Sequence, residues 1–373
     1  PRMGTWGFDL EGRDTTVAPG TDFDRYANGS YLDRMTIPDD RARYGAFDAL
    51  SALSEERVRH IIEVSAADAN ASGDEGRVGA LYRSFMDEAR VNALDAAPLA
   101  PDLARIRAAT TRGALAQLMG KATTGYWNTF FPMYISADAK APTRYVVYLG
   151  QGGLGLPDRD YYLEPQFAEK KAAYQAYIAR QLAAVGWDNA TASAAAIVAL
   201  ETRIAEASWT RAESRDADKT YNAVSRAPLR AVLPGFPVDR YLAAAGLGNV
   251  RRVVLGENTA MTRIAKIFAE TPVATLQAWH AFNLVDQAAP YLSRRFYDNY
   301  FDFRGRALSG QPAQRPRWKR GVNLVNGQIG EAVGKIYVAA YYPPSSKAKV
   351  EALVEDVRPA HSALINGLVG MSP

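Results

Sequence analysis

Apolar residues return every three or four positions over most of this chain, which is the spacing of one face of an α-helix. Such stripes start at Leu53, Leu81, Tyr174, Ile197, Ile264 and Trp279. Each stripe predicts an amphipathic helix with one buried side. Residues 1–50 lack this spacing and are rich in Gly, Asp and Thr, with scattered aromatic side chains. We therefore expect an irregular segment there, whose aromatic residues need a surface to cover.

The period changes from that of a helix to that of a strand between residues 130 and 149. Apolar side chains alternate along residues 131–135, and residues 145–149 are rich in β-branched and aromatic types. The Ala-Lys-Ala-Pro-Thr stretch between these runs is typical of a turn. This part of the chain therefore predicts a small β-hairpin.

A last helix is predicted after the Pro343-Pro344 pair. Ser345 or Ser346 would cap its first turn, and Pro359 would end it. Taken with the stripes and the hairpin, this predicts a mainly α fold, a multi-helical lobe with a small β-hairpin.

The composition is that of an ordinary globular protein. The chain has 373 residues, of which 48% are hydrophobic and 23% charged, and its formal net charge is +4. This length exceeds the size at which a single core usually stops growing, so we expect two lobes. No apolar run approaches the roughly 18 residues that span a bilayer, so we expect no membrane span. Because the chain has no cysteine, it forms no disulfide.

The histidines are too few and too dispersed to form a zinc site. His60, His280 and His361 are followed by Ile, Ala and Ser, so none opens a His-Glu-x-x-His pair. A zinc site in a protein needs at least three ligands from His, Cys, Asp and Glu. We therefore expect no metal site and no bound metal cofactor within this chain.

Glycines at 150, 152 and 155 follow a predicted strand, as in the phosphate-binding turn of a dinucleotide fold. The sequence after them continues with Pro157 and Asp158 rather than with a helix that faces a phosphate. A glycine turn that lets backbones pack closely is the interpretation we favour.

Two charged segments admit functional and structural interpretations. Residues 304–320 contain six Arg or Lys residues and one Trp, and no Asp or Glu. Such a segment would suit contacts with a nucleic-acid backbone or with acidic residues at a lobe interface. Residues 201–216 mix acids and arginines on the helix predicted after Ser193. That mixture is typical of an exposed or interlobe face joined by ion pairs.

Five segments follow one another in the order of a known family. They are residues 19–32, residues 43–48 (Arg-Tyr-Gly-Ala-Phe-Asp), residues 154–163 (Leu-Gly-Leu-Pro-Asp-Arg-Asp-Tyr-Tyr-Leu), residues 201–222, and Arg317-Trp-Lys-Arg320 leading to Gly334-Lys-Ile-Tyr337. Together they resemble the N-terminal part of the neprilysin-type zinc metallopeptidases, and they cover nearly the whole chain. In that family the zinc helix, the third metal ligand and a substrate-aligning Asn-Ala segment follow the region matched here.

The resemblance implies the non-catalytic, substrate-binding half of a zinc-dependent oligopeptidase. It implies that residues 1–50 pack on a catalytic lobe, that residues 51–342 form a helical lobe roofing a central cavity, and that residues 343–373 lead into the catalytic lobe. The expected partners are a zinc-bearing C-terminal subunit or segment and small peptide substrates. A periplasmic or secreted location is implied by the same analogy, with the cytoplasm as the alternative.

The resemblance assigns substrate contacts to Arg43, Phe47 and Asp48. In the family the arginine and aspartate lie at the pocket for the second residue after the scissile bond, and the phenylalanine lies beside the pocket for the first. An arginine fork can bind a C-terminal carboxylate, and Asp48 can hold that fork in place. The alternative is a structural Arg-Asp pair with a core phenylalanine. Some members carry a second arginine where this chain has Ser51.

Three arrangements are compatible with this interpretation. The chain is one subunit of a natural two-subunit enzyme, or a piece of a longer enzyme cut after Pro373, or a stand-alone peptide-binding or regulatory protein derived from a peptidase. Nucleic-acid binding through residues 304–320 is a weaker alternative from a different functional class.

Overall fold

The computed structural model describes residues 9–122, 125 and 128–368. The chain divides into two compact units. The terminal unit comprises Pro1–Asp87 and Gln311–Pro373, and the central unit comprises Glu88–Gly310. Each unit has a hydrophobic core of its own.

Helices make up most of both units. In chain order they are α1 (Phe23–Arg34), α2 (Ala46–Ala67), α3 (Gly73–Met86), α4 (Glu88–Leu94), α5 (Ala100–Ala108), α6 (Arg112–Gly120), α7 (Asp160–Leu163), α8 (Ala168–Ala184), α9 (Ala190–Ala207), α10 (Arg226–Val232), α11 (Val238–Ala244), α12 (Asn258–Glu270), α13 (Val273–Ala288), α14 (Arg294–Tyr300), α15 (Arg317–Tyr341) and α16 (Pro344–Asn366). A π-helical segment, Phe301–Leu308, continues directly from α14. The mainly α fold class is confirmed.

The central unit also contains a four-stranded sheet. Its strands are β1 (Met133–Asp138), β2 (Ala141–Leu149), β3 (Asn222–Ser225) and β4 (Arg252–Leu255), in the spatial order β1-β2-β4-β3. Strands β1 and β2 form the predicted antiparallel hairpin, while β4 lies parallel to β2 and antiparallel to β3. Strands β3 and β4 were not predicted, because runs of four residues carry too little periodicity.

The predicted helical stripes of the central unit face its core. Tyr174 on α8, Ile197 on α9, Ile264 on α12 and Trp279 on α13 are fully buried. Trp279 packs edge-on against Phe130, with ring centroids 4.9 Å apart and an interplanar angle of 84°. Burial of these large apolar surfaces is the main stabilising contribution in this unit.

The charged segment 201–216 differs from its predicted form. Helix α9 ends at Ala207, so residues 211–216 lie beyond it. Glu201 is completely buried in the core of the central unit, which makes the prediction of an exposed or interlobe face joined by ion pairs wrong at this position.

The terminal unit is built on three helices. Helices α2, α3 and α15 surround a core of Ile62, Val78, Tyr82, Val322, Val325 and Val333. Helix α1 lies in the segment that we expected to be irregular. Its first turn is capped by the Asp22 carboxylate, which accepts a hydrogen bond of 2.9 Å from the backbone N–H of Arg25. Helix α1 buries only Gly29, so it has no apolar stripe that the sequence could reveal.

The last helix begins where the two prolines predicted but extends further. Helix α16 starts at Pro344, which places Ser345 and Ser346 inside its first turn rather than at the cap. It continues through Pro359 to Asn366, so the predicted end was wrong. A proline removes one backbone hydrogen bond of a helix without always ending it. None of the helices in the described ranges combines the length and apolar character that a bilayer crossing requires.

Candidate functional site

The residues expected to contact substrate lie where the chain enters α2. Gly45 precedes the helix in an extended conformation, and Phe47 and Asp48 occupy the first turn. The Phe47 side chain is 85% exposed. Arg43 is exposed as well, and within the described parts of the chain its guanidinium makes no hydrogen bond or ion pair. Phe47 is therefore an apolar side chain without cover, close in sequence to a free cation.

Asp48 pairs with Arg41 and not with Arg43. The Arg41 Nη1 atom lies 3.2 Å from Oδ1 of Asp48, and Nη2 lies 3.6 Å from Oε2 of Glu55. Asp48 and Glu55 are seven residues apart on α2, which places them two turns apart on one face. The structure thus places the guanidinium of Arg41 against both carboxylates, two residues before the position that the motif indicated.

A second arginine, from the segment before α15, contacts the carboxylate of Glu55. The Arg315 Nη2 atom lies 3.0 Å from Oε1 of Glu55, so Glu55 bridges Arg315 and Arg41. Beside this pair, Lys319 lies 2.6 Å from Oδ2 of Asp40. Burial acts to raise the pKa of Asp40, but the hydrogen bond and charge of Lys319, together with the charges of Arg315 and Arg41, outweigh it and lower the net pKa.

A cavity of about 580 Å³ opens between α2 and α15 around these groups. Phe47 and Val58 contribute apolar surface, and Asn323 and Asn326 contribute amides. The charged lining consists of Arg41, Arg315, Asp48 and Glu55, whose charges balance. Amides and an exposed ring beside a neutral charge cluster suit a peptide segment with an apolar side chain. Arg43 does not line this cavity, whereas Phe47 and Asp48 do.

Sequence reasoning missed Arg41, Glu55 and Arg315. Glu55 and Arg315 are 260 residues apart in sequence, so no local pattern could join them. Arg315 did belong to the basic segment 304–320, for which contacts with acidic residues were one of the two interpretations. In the central unit, Arg304 of that segment pairs with Asp286 at 2.7 Å. These contacts occupy cationic groups that nucleic-acid binding would need free.

The structure places no histidine in a setting that suits zinc. His280 is buried in the central core, and burial lowers the pKa of its imidazole to about 3. His60 and His361 are exposed on α2 and α16. In residues 9–122, 125 and 128–368, no three His, Cys, Asp or Glu side chains are grouped so that they could hold a metal ion. A zinc ion therefore does not fit the part of the chain that the structure describes.

Known proteins resemble the chain over nearly its full length. It is 26% identical to endothelin-converting enzyme 1 of Rattus norvegicus, a match that covers 97% of this chain and 49% of that protein. It is 27% identical to endothelin-converting enzyme-like 1 of Mus musculus, over 92% of this chain and 47% of that protein. The chain thus spans about half the length of the curated relatives that it matches.

Solved structures give the same result. The zinc metalloprotease Zmp1 of Mycobacterium tuberculosis, in complex with an inhibitor, superposes with a TM-score of 0.88 at 34% identity, covering 98% of this chain and 56% of that one. PepO of Lactobacillus rhamnosis shares the fold, with a TM-score of 0.78 at 20% identity over 96% of this chain and 57% of that one. The model of the N-terminal region of peptidase family M13 matches residues 19–373. The resemblance to the neprilysin-type metallopeptidases is therefore confirmed, and the chain belongs to peptidase family M13.

Proposed function

We propose that this chain is the non-catalytic, substrate-binding half of a zinc-dependent oligopeptidase. The observation that carries the proposal is the pair of match lengths, since nearly all of the chain aligns with only about half of each peptidase relative. The metal, the general base and the groups that stabilise the oxyanion would come from a zinc-bearing C-terminal subunit or segment. The resemblance to the family favours a periplasmic or secreted location.

The exposed apolar face of α16 supports association with such a partner. Val350, Leu353, Val354 and Val357 are each between 44% and 60% exposed and recur at helical spacing. Leu364 and other apolar side chains continue the surface toward the end of the helix. A stripe of this length on a monomer is a typical interaction surface. The zinc-bearing half is the partner that would cover this face, because the relatives are about twice as long as the part matched here.

The first turn of α2 supports a role in binding peptide. Arg43 is proposed to bind the C-terminal carboxylate of a short peptide, because its guanidinium is free and its fork geometry matches a carboxylate. Phe47 would lie beside the side chain that follows the scissile bond. Asp48 would contribute by holding Arg41 at the edge of the cavity that Phe47 lines.

The composition of the native particle tests this proposal. The chain is isolated from its source cells under native conditions, and the particle is characterised by intact mass, zinc content and cleavage of an internally quenched peptide. We expect a second polypeptide or segment with His-Glu-x-x-His, one zinc ion, and cleavage that a chelator abolishes. The purified chain alone should retain no stoichiometric zinc after dialysis and should leave the peptide intact.

The main alternative is a stand-alone peptide-binding or regulatory protein. A native particle that contains only this chain, binds peptides and never cleaves them would establish that alternative. Cleavage by the purified chain alone would contradict both.

A further inference from the structure

The glycine turn after β2 forms one wall of a cavity in the central unit. The cavity has a volume of about 500 Å³, and Gln151, Gly152 and Gly153 line it. Gly153 has a φ of +93°, a backbone conformation that residues other than glycine rarely adopt. Throughout the described chain, the backbone N–H groups of Gly152 and Gly153 have no hydrogen-bond acceptor. Consecutive unpaired N–H groups at a turn are a common feature of anion sites.

Trp209 also lines the cavity, and hydrogen bonds hold both its backbone and its ring. The side-chain amide of Gln151 donates to the Trp209 carbonyl at 3.1 Å and accepts from the Trp209 N–H at 2.8 Å. The indole Nε1–H donates to the hydroxyl of Thr259 at 2.8 Å. With its backbone and ring fixed in this way, Trp209 can contribute a preorganised apolar surface to a ligand.

The charged groups of this cavity are predominantly cationic. Arg159, Arg211 and Arg215 line it together with a single acid, Asp158, which pairs with Arg211. Arg159 uses its Nε–H to reach the carbonyl of Ala205 at 3.1 Å. The side chain of Arg215 has no hydrogen bond or ion pair within the described residues. Arg159 also lies 3.8 Å from Asp160, so among the three arginines of the lining only Arg215 has no ion-pair partner in the described structure.

A buried hydroxyl without a partner lies in the same lining. The Oγ atom of Ser214 is shielded from solvent and makes no hydrogen bond in the described structure. A buried polar atom without a partner costs free energy, and rotation of the Ser214 side chain toward the cavity would give it a partner in a bound ligand. Ser214, Arg215 and the two glycines all line this cavity, so their unpaired groups are available as donors to an anionic ligand that enters it.

We propose that this cavity binds the side-chain carboxylate of an acidic residue in a peptide. The donors suit an oxyanion, and Trp209 with Leu154 and Pro157 provides the apolar surface that the rest of a peptide residue needs. This assignment rests on the proposed function, because it takes the ligand to be a peptide. It gives the chain a preference for acidic peptides that Arg43 and Phe47 do not supply.

Binding to the chain alone tests the assignment, so its outcome does not depend on hydrolysis. The probes are N-acetyl-Gly-Glu-Gly-amide and N-acetyl-Gly-Gln-Gly-amide, which differ only in the side-chain charge, and inorganic phosphate as a free oxyanion. Isothermal titration calorimetry should show tighter binding of the glutamate peptide. Arg215→Gln should weaken that binding roughly tenfold, the loss expected for one charge-assisted contact. Ser214→Ala should weaken it by a smaller factor.

Arg144→Gln is the matched control, because Arg144 is an exposed arginine of the same unit that does not line the cavity. It should bind the glutamate peptide as the unsubstituted chain does. Equal binding of the two peptides, or an equal loss in Arg144→Gln and Arg215→Gln, overturns the assignment. Phosphate that binds as tightly as the glutamate peptide and displaces it overturns the peptide as the ligand. Absence of peptide binding at millimolar concentration overturns the site itself.

Discussion

The hydroxyl of Tyr162 donates a 2.6 Å hydrogen bond to Oε2 of Glu201, a carboxyl group with no solvent-exposed surface. The other oxygen accepts from the indole of Trp279 at 3.0 Å and from the hydroxyl of Tyr174 at 3.3 Å. Burial raises the pKa of Glu201 to about 7, and these hydrogen bonds oppose a further rise. A group that titrates near neutrality thus lies in the core of the central unit.

The raised pKa predicts that this core loses stability as the pH rises. Between the ordinary pKa of 4.5 and the folded value of about 7, the folded chain holds a proton that the unfolded chain releases. The resulting stabilisation is complete below pH 4.5 and is lost as the pH rises through 7, a change of about 3 kcal/mol. Glu201→Gln should lack this change. Urea unfolding at pH 5 and pH 8 measures the free energy of unfolding of the unsubstituted chain and of the variant.

Only the difference between the two chains isolates Glu201, because other groups titrate in both. The advantage of the unsubstituted chain over Glu201→Gln should shrink by about 3 kcal/mol between pH 5 and 8. The variant itself should be less stable at pH 5, since its single –NH2 group replaces one carboxyl oxygen and meets donors there, those of Tyr162 and Gly155 on one side or of Trp279 and Tyr174 on the other. Parallel pH profiles would mean that Glu201 stays ionised, held by its hydrogen bonds.

The spacing of apolar residues around Glu201 indicates that its side chain is buried. Ile197, Glu201 and Ile204 are spaced by four and three residues, so Glu201 lies on the apolar stripe of α9. The charged residues that follow it give the opposite prediction, because mixed charges at helical spacing are usually solvated. The deciding signal was its place on the stripe.

Periodicity predicted the helices with wide apolar faces and the β1-β2 hairpin, because those elements bury one side. It failed for α1, which buries little, and for β3 and β4, which are too short. The site was predictable only in part. Phe47 and Asp48 followed from the family motif, whereas the Glu55 bridge depends on Arg315, which folding brings from the other end of the chain.

The Glu55 bridge predicts a large effect from a conservative change. Glu55→Gln leaves Arg41 and Arg315 close together without the carboxylate that they share. Because Glu55 is only 13% exposed, the loss should be about 1–3 kcal/mol of unfolding free energy, smaller than for a fully buried pair. Added salt should reduce the loss by screening the two arginines. Urea unfolding at low and high ionic strength measures it.

Glu56→Gln is the control for this change. Glu56 is the next residue on α2, is 63% exposed and lies 3.9 Å from Arg59. Its substitution should alter the unfolding free energy by no more than about 0.5 kcal/mol. Equal effects of the two substitutions would show that the bridge contributes nothing specific.

The apolar face of α16 predicts poor solution behaviour of the chain alone. It should bind a hydrophobic dye and self-associate, because its exposed valines and leucines are continuous. The double substitution Leu353→Lys with Val357→Lys should reduce both effects and abolish association with the zinc-bearing half, with little change in thermal stability. Glu355→Lys, on the polar side of the same helix, should change neither. A monodisperse chain that binds no dye would contradict this prediction.

The proposed role of Arg43 predicts that its substitution affects peptides with a free C-terminus more than amidated peptides. In the reconstituted enzyme, Arg43→Ala should lower kcat/KM for short peptides with a free C-terminus by roughly ten- to a hundredfold, which is the effect of losing a charge-assisted contact. Peptides amidated at that end should lose much less. Arg77→Ala, which removes an exposed arginine of α3, should affect neither class. Equal losses on both classes, with a lower melting temperature, would make Arg43 a structural residue.

Asp48→Asn tests whether Arg41 or Arg43 is the partner of Asp48. The sequence motif indicated that Asp48 holds Arg43, in which case the substitution should give a milder form of the Arg43→Ala pattern. In the structure Asp48 pairs with Arg41 at 3.2 Å, so the change leaves Arg41 with Glu55 alone and leaves Arg43 as it is. We therefore expect a slightly lower melting temperature and equal, small losses of kcat/KM on free and amidated peptides. A selective loss on free peptides would instead mean that Asp48 holds Arg43 once substrate is bound.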